Sequence, residues 1–181
     1  SSDPEVLKAI KRDNISSSAY KELISVSNKQ KNKKTHCEII LGLPGDTKQK
    51  HFESLRFGID SKVNSVRMYQ SMLLNGTDMA SKESRKEFGF ITKFRTIPGC
   101  VGIYDIFDQK RSIAEIEEII IGSKTFSVED YLDCRVMNLI IKAFYNNSMF
   151  EEVYNMLWNM NVSPFDCLLY IKEHPELYSK K

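Results

Sequence analysis

The 181-residue sequence contains no run of about eighteen apolar residues, so it offers no transmembrane helix and no membrane partner is expected. Its first residues, Ser1-Ser2-Asp3-Pro4-Glu5, are polar and lack the apolar core of a secretory signal. Cysteine is sparse: Cys37, Cys100, Cys134 and Cys167 are widely separated. Neither C-x-x-C nor C-x-x-x-C-x-x-C occurs, so no local zinc or iron–sulfur loop is present and no metal ligands are assigned. Scattered thiols without a signal segment point to reduced cysteines in a cytoplasm. No sign of charge dominates, with 26 Lys and Arg against 24 Asp and Glu, so no global basic field argues for nucleic acid. With 8 Gly and 5 Pro, collagen-like and low-complexity classes are excluded. His36, His51 and His174 are isolated, and G-x-S-x-G, G-x-x-x-x-G-K-[ST] and G-x-G-x-x-G are all missing. No catalytic residue is therefore named from these motifs.

What is present alternates between strands and helices. Ser2 reads as an N-cap, with Pro4 in the first turn and Glu5 at the third position. Val6, Leu7 and Ile10 then share one helical face. A second helix is expected from about Ser17 to Lys29, and the lysines of the 29–34 segment read as its solvated end. Cys37–Leu41 reads as a buried strand. Leu43-Pro44-Gly45-Asp46 has the residues of a type II turn, with Asp46 or Thr47 capping the next helix and Gln49 placed to complete a box with Asp46. Ser65–Leu73 reads as a second strand and Val101–Phe107 as a third, separated by a loose stretch with a short helix near residues 82–88. Such alternation indicates parallel βαβ packing. From Ser112 onward the expectation is helical. Ile113, Ile116, Ile119 and Ile120 fall at helical spacing with Glu115, Glu117 and Glu118 on a solvated face. Helices then follow from the Ser127 cap to Tyr145, over Met149–Met160, and from Ser163-Pro164 to Ile171.

Glu38–Thr47 is the segment that carries a binding signal. A strand ends in Gly42, which lets another group approach the backbone, and the turn exposes backbone groups beside a helix N-terminus. In parallel α/β folds ligands bind at that end of the strands. A plain strand-to-helix turn explains Pro44 and Gly45 equally well.

The segment Ile39-Ile40-Leu41-Gly42-Leu43-Pro44-Gly45-Asp46-Thr47, followed by Ser54-Leu55, resembles the fifth-strand region of radical S-adenosylmethionine enzymes. The opening, Ser1 to Arg12, resembles the segment after their fourth strand. Val66–Leu74 with Asn75-Gly76-Thr77-Asp78-Met79 resembles the sixth strand and its ending, with Asn75 where proline is common. Glu115–Ile119, Thr125–Tyr131 and Arg135 resemble the tail of the cobalamin-binding members.

The resemblance implies an α/β fold. Residues 1–111 would form the carboxyl-terminal half of the barrel, a partial (β/α) barrel of about three parallel strands. Residues 112–181 would form a helical extension. It also implies a site. Arg12 would grip the methionyl carboxylate of S-adenosylmethionine, as a guanidinium does bidentately. The backbone of Ile40, Gly42, Leu43, Pro44 and Gly45 would face the adenosine, and Tyr69 and Gln70 would face the barrel interior. In the parent enzyme a [4Fe–4S] cluster would reduce S-adenosylmethionine to methionine and a 5′-deoxyadenosyl radical, with cobalamin as a further cofactor of the subgroup. The cluster loop belongs to an upstream half, which is the implied partner, and the chain alone is expected to be inactive. The small-molecule substrate is not named by the sequence. The first strand of such a piece has an open edge, expected to be masked by the helical tail or in a homodimer. Two readings of another class stand beside this one. One is a non-enzymatic nucleotide- or phosphate-binding module using the Pro44–Thr47 turn. The other is an interaction module docking through residues 148–174.

Overall fold

The computed structural model describes residues 1–30 and 34–178, so Lys31 and Lys33 of the lysine-rich segment lie outside the described residues. It is a mixed α/β structure. The helices are α1 (Pro4–Ala9), α2 (Ser17–Asn28), α3 (Lys48–Asp60), α4 (Lys82–Phe88), α5 (Val128–Ile140), α6 (Glu151–Asn159) and α7 (Pro164–Glu173). The strands are β1 (His36–Leu41), β2 (Ser65–Gln70), β3 (Ile91–Ile106) and β4 (Gln109–Gly122). Among the described residues no helix is long and apolar enough to cross a membrane.

β1 and β2 pair in parallel, from His36 opposite Ser65 to Leu41 opposite Gln70, with α3 as the crossover between them. Alternation along the strands sends Ile39 and Val66 into a core under the helices. That core contains Leu55 and Ile59 of α3, Met137 and Ile140 of α5, and Phe165 and Leu168 of α7. Leu41 packs in a neighbouring cluster with Phe126, Tyr131 and Cys134. Helices therefore cover one face of the strand pair. Caps fix their starts: Asp3 for α1, Ser16 for α2, Thr47 for α3, and a reciprocal Ser127–Asp130 capping box for α5. Asp3 thus takes the role expected of Ser2. α5 runs on into a π-helical turn, Ile141–Tyr145.

Two expectations are corrected. The stretch 113–121 is not a helix but the body of β4, and the expected third parallel strand is part of β3. β3 and β4 form an antiparallel hairpin closed by Phe107-Asp108, both at positive φ. The parallel sheet therefore has two strands rather than three, and no barrel closes among the described residues. Isoleucine is β-branched and suits a strand, and the 3–4 spacing of the 113–120 isoleucines coincides with helical periodicity only by position. The helical region begins at Val128, and residues 112–122 belong to the hairpin. Ile97, Pro98 and Gly99, expected in the loose stretch, form with Cys100 a bulge between Thr96 and Val101.

The hairpin is stitched to the body at its root. Leu73 donates its N–H to the Glu118 carbonyl at 2.9 Å, and Ile120 donates to the Ser71 carbonyl at 3.0 Å, so the continuation of β2 pairs with the end of β4. Arg85 adds a bidentate pair to Glu118 at 2.7 and 2.6 Å. Its guanidinium, with a hydrogen bond from Thr92, holds the Glu118 carboxyl down at about 2.

The two outer edges of the parallel pair differ. On β2 the Asn146 side chain accepts from the Val66 N–H and donates to the Val66 carbonyl, both at 2.8 Å, taking the place of a strand partner. The helical tail thus masks the edge of β2. Among the described residues β1 makes no backbone hydrogen bond on its outer side.

Candidate functional site

The uncovered face of the parallel strands forms the floor of a cleft of about 650 Å³. Glu38 and Ile40 of β1, Tyr69 of β2 and Ser71 just beyond it line this floor, and Leu43 of the turn lies at the strand ends. The amino-terminal segment supplies Leu7, Ile10, Arg12 and Asn14. The hairpin supplies Arg95, Glu117 and the bulge residues Ile97 and Pro98.

Of the eight residues expected at the site, Arg12, Ile40, Leu43, Tyr69 and Gln70 line this one cleft. Arg12 lies past the end of α1. Lys11 takes a positive φ of 53°, which stops the helix, and the Arg12 N–H returns to the Leu7 carbonyl at 3.0 Å. Its guanidinium is exposed and has no acidic partner among the described residues. Gly42, Pro44 and Gly45 do not line the cleft. Gly42 needs its φ of 82°, and the group approaching it is Ile120, whose carbonyl would lie 3.5 Å from an added Cβ. Pro44 is buried, and Gly45 at φ 73° sits in the turn closed by the Asp46 N–H on the Leu43 carbonyl at 3.0 Å. These three residues build the turn, and only Leu43 of the turn reaches the cleft.

Gln70 is buried, and both ends of its amide are engaged. Arg95 donates to its Oε1 and its Nε2 donates to the Tyr131 hydroxyl. Arg95 also pairs with Glu117 across the hairpin. The side chain expected to face a ligand instead ties the hairpin wall to α5. Ser71, two residues after Tyr69, is almost fully buried, and its Oγ has no partner among the described residues.

Glu38, Ser71, Arg95, Glu117 and the Ile97-Pro98 bulge are among the cleft residues that sequence reasoning did not assign to the site. Alternation along β1 places Glu38 on the same face as Ile40, so that position was available from the pattern alone. The hairpin residues were not, because their placement depends on a pairing between distant segments.

Two buried ionisable groups lie outside the cleft lining. Burial pushes the Asp46 carboxyl up to about 6, although its Oδ1 accepts from the Thr47 N–H. Burial pulls the His51 imidazole down to about 4. Asn138 lies beside the ring and partly offsets this, but neither His51 nitrogen reaches hydrogen-bond geometry among the described residues. Burial also raises the thiols of Cys37, Cys134 and Cys167, with Cys134 at about 12. Among the described residues no three His, Cys, Asp or Glu side chains come together as a metal-ligand set.

Beyond β1, a second cleft of about 660 Å³ runs between His36–Ile39 and the Arg12–Ser17 segment. Arg12 borders both clefts.

No family model matches the chain, and no curated protein matches it.

Proposed function

We propose that this chain is the cofactor-facing, carboxyl-terminal part of a radical S-adenosylmethionine barrel. The observation that carries the reading is the convergence of Arg12, Ile40, Leu43 and Tyr69, drawn from three separate motifs, on one cleft. The cleft combines an unpaired guanidinium with apolar surface from Ile40, Leu43 and Tyr69 and a buried, unpartnered Ser71 hydroxyl. A carboxylate on Arg12 and an adenosine against Ile40 and Leu43 fit those chemical demands.

Among the described residues no thiolate set is formed, so they do not fit an iron–sulfur cluster, and the proposed reading puts the cluster on an upstream half. S-adenosylmethionine, when bound and reduced, supplies a carbon radical that abstracts hydrogen from a substrate. This chain's share is to hold the carboxylate, shape the apolar floor and exclude water. The unpaired outer edge of β1 is where a strand of the upstream half would add. Cobalamin belongs to the reading only through the likeness of the tail, and the protein is proposed to act in the cytoplasm.

A phosphate-binding reading of the Pro44–Thr47 turn is disfavoured. Asp46 buries a carboxylate there, and Thr47 already accepts from the Lys50 N–H at 3.1 Å. The reading of residues 148–174 as a docking face receives mixed support: Tyr154 and Phe165 are buried in the core, while Met149, Met156 and Met160 are exposed.

Iron–sulfur reconstitution tests the function. The 181-residue chain, supplied with iron, sulfide, a reductant and S-adenosylmethionine, is expected to form no 5′-deoxyadenosine. The polypeptide extended upstream in its own reading frame is expected to form it. An upstream frame without C-x-x-x-C-x-x-C, or turnover by the chain alone, would overturn the reading.

A further inference from the structure

We propose that Glu38 and Tyr69 form a cation subsite in the cleft that takes the protonated amine of a small molecule with an apolar body. That this molecule is the substrate of the radical reaction rests on the function proposed above. The subsite itself stands on the geometry of the cleft.

Three carboxylate or guanidinium groups of the cleft are otherwise accounted for. Arg95 and Glu117 neutralise each other, and Arg12 is the guanidinium assigned to a ligand carboxylate. Glu38 is the remaining acid. Its Oε1 has only the Tyr69 hydroxyl at 3.4 Å and the His36 Nε2 at 3.9 Å nearby. Its Oε2 has no hydrogen-bond partner among the described residues. Arg67 stands beside it in register on β2, yet forms no ion pair with it and does not line the cleft. Glu38 is thus a negative charge on a floor that otherwise offers Ile40 and the half-exposed Tyr69.

A carboxylate next to an accessible aromatic ring is the pairing that recognises an ammonium group. The carboxylate accepts charge-assisted hydrogen bonds, and the ring face attracts the cation. The apolar body would lie against Met72, Ile97 and Pro98. At the other end of the floor, the buried, unpartnered Ser71 hydroxyl marks a second point where a polar group of a ligand would be received. A neutral molecule of the same shape gains only the apolar contacts, so the subsite predicts a preference for charge.

The test uses the 181-residue chain with 2-phenylethylammonium and its neutral counterpart 2-phenylethanol, with affinities from ligand-observed NMR titrations. The cation is expected to bind about tenfold more tightly. Glu38→Gln is expected to erase that preference, and Ile103→Ala, on the exposed arm away from the cleft, to keep it. Glu38 is exposed on a strand face, and Glu38→Asp, which keeps the charge, is expected to retain part of the preference. Equal binding of the two probes, or a preference that survives Glu38→Gln, would overturn the subsite. S-adenosylmethionine binding in the same samples addresses the function separately. Its absence alongside an intact amine preference would remove the radical reading and leave the subsite standing.

Discussion

The helical body and the β3–β4 hairpin are built from similar amounts of isoleucine, but they use it differently. In the body, Ile39, Ile59 and Ile140 are buried beneath helices that cover one face of the parallel strands. In the hairpin, Ile103 is 75% exposed and Phe94, Val101 and Ile116 are also open to solvent. The body is stabilised by removal of apolar surface from water. The hairpin is held by its backbone ladder and by polar fastenings at its root: Arg85 with Glu118, and Arg95 with Glu117 and Gln70. Two-stranded ribbons are marginal on their own, so the arm depends on the body far more than the body depends on the arm. The cleft lies between them, with a floor from the body and one wall from the arm.

The largest effect separating the two regions is expected in the core. Leu55→Ala removes a fully buried side chain and is expected to cost about 2–5 kcal/mol in urea unfolding. An effect under about 1 kcal/mol there would break the contrast.

Titration of the body comes next. The His51 imidazole sits at about 4 in the fold against an ordinary 6.5, so its contribution is full above 6.5 and is lost as pH falls towards 4. The Asp46 carboxyl sits at about 6 against an ordinary 3.8, so its contribution is full below 3.8 and is lost as pH rises through 6. The two oppose each other between pH 4 and 6. Asp46→Asn keeps an acceptor for the Thr47 N–H and is expected to raise stability at pH 7 by about 1–3 kcal/mol. It is also expected to steepen the acid loss caused by His51. Urea midpoints measured from pH 4 to 8 check both signs. A variant less stable than the wild type at pH 7 would contradict them.

A smaller, more local effect is expected where the regions meet. Gln70→Ala leaves Arg95 and the buried Tyr131 hydroxyl without their shared partner, at a cost of about 1–3 kcal/mol. Hydrogen exchange is expected to quicken across β3 while the β1–β2 amides stay protected. Uniform quickening in both regions would show that the arm is not the more dependent part. The smallest effect belongs to the arm surface: Ile103→Ala is expected to change global stability by less than about 0.5 kcal/mol.

The same contrast explains how much of the fold was legible in sequence. β1, the Leu43–Asp46 turn, α3 and β2 announce themselves through local signals: a buried strand, Pro44-Gly45 turn chemistry and the Thr47 cap. The Ser127 capping box likewise marks α5. The hairpin has no such local signature. Its turn is Phe107-Asp108 rather than Asn-Gly, its bulge contains Pro98-Gly99, and its isoleucines fall at helical spacing. Strand identity there comes from pairing Ile91–Ile106 with Gln109–Gly122, which no local window contains. The candidate site divides along the same line. Arg12, Ile40, Leu43 and Tyr69 were expected at the site from the family resemblance of the segments that carry them. The Arg95, Ile97 and Glu117 wall was not, and Gln70 was assigned to the ligand although it fastens that wall.

Under the proposed function, Arg12 would give the cleft its affinity for the carboxylate of S-adenosylmethionine. Calorimetric titration of the 181-residue chain with S-adenosylmethionine and with methylthioadenosine, which lacks the methionyl carboxylate, tests it directly. The account predicts that S-adenosylmethionine binds about tenfold more tightly, and that Arg12→Ala removes the difference while leaving methylthioadenosine binding unchanged. Equal affinities in the wild-type chain, or a difference that persists in Arg12→Ala, would contradict it.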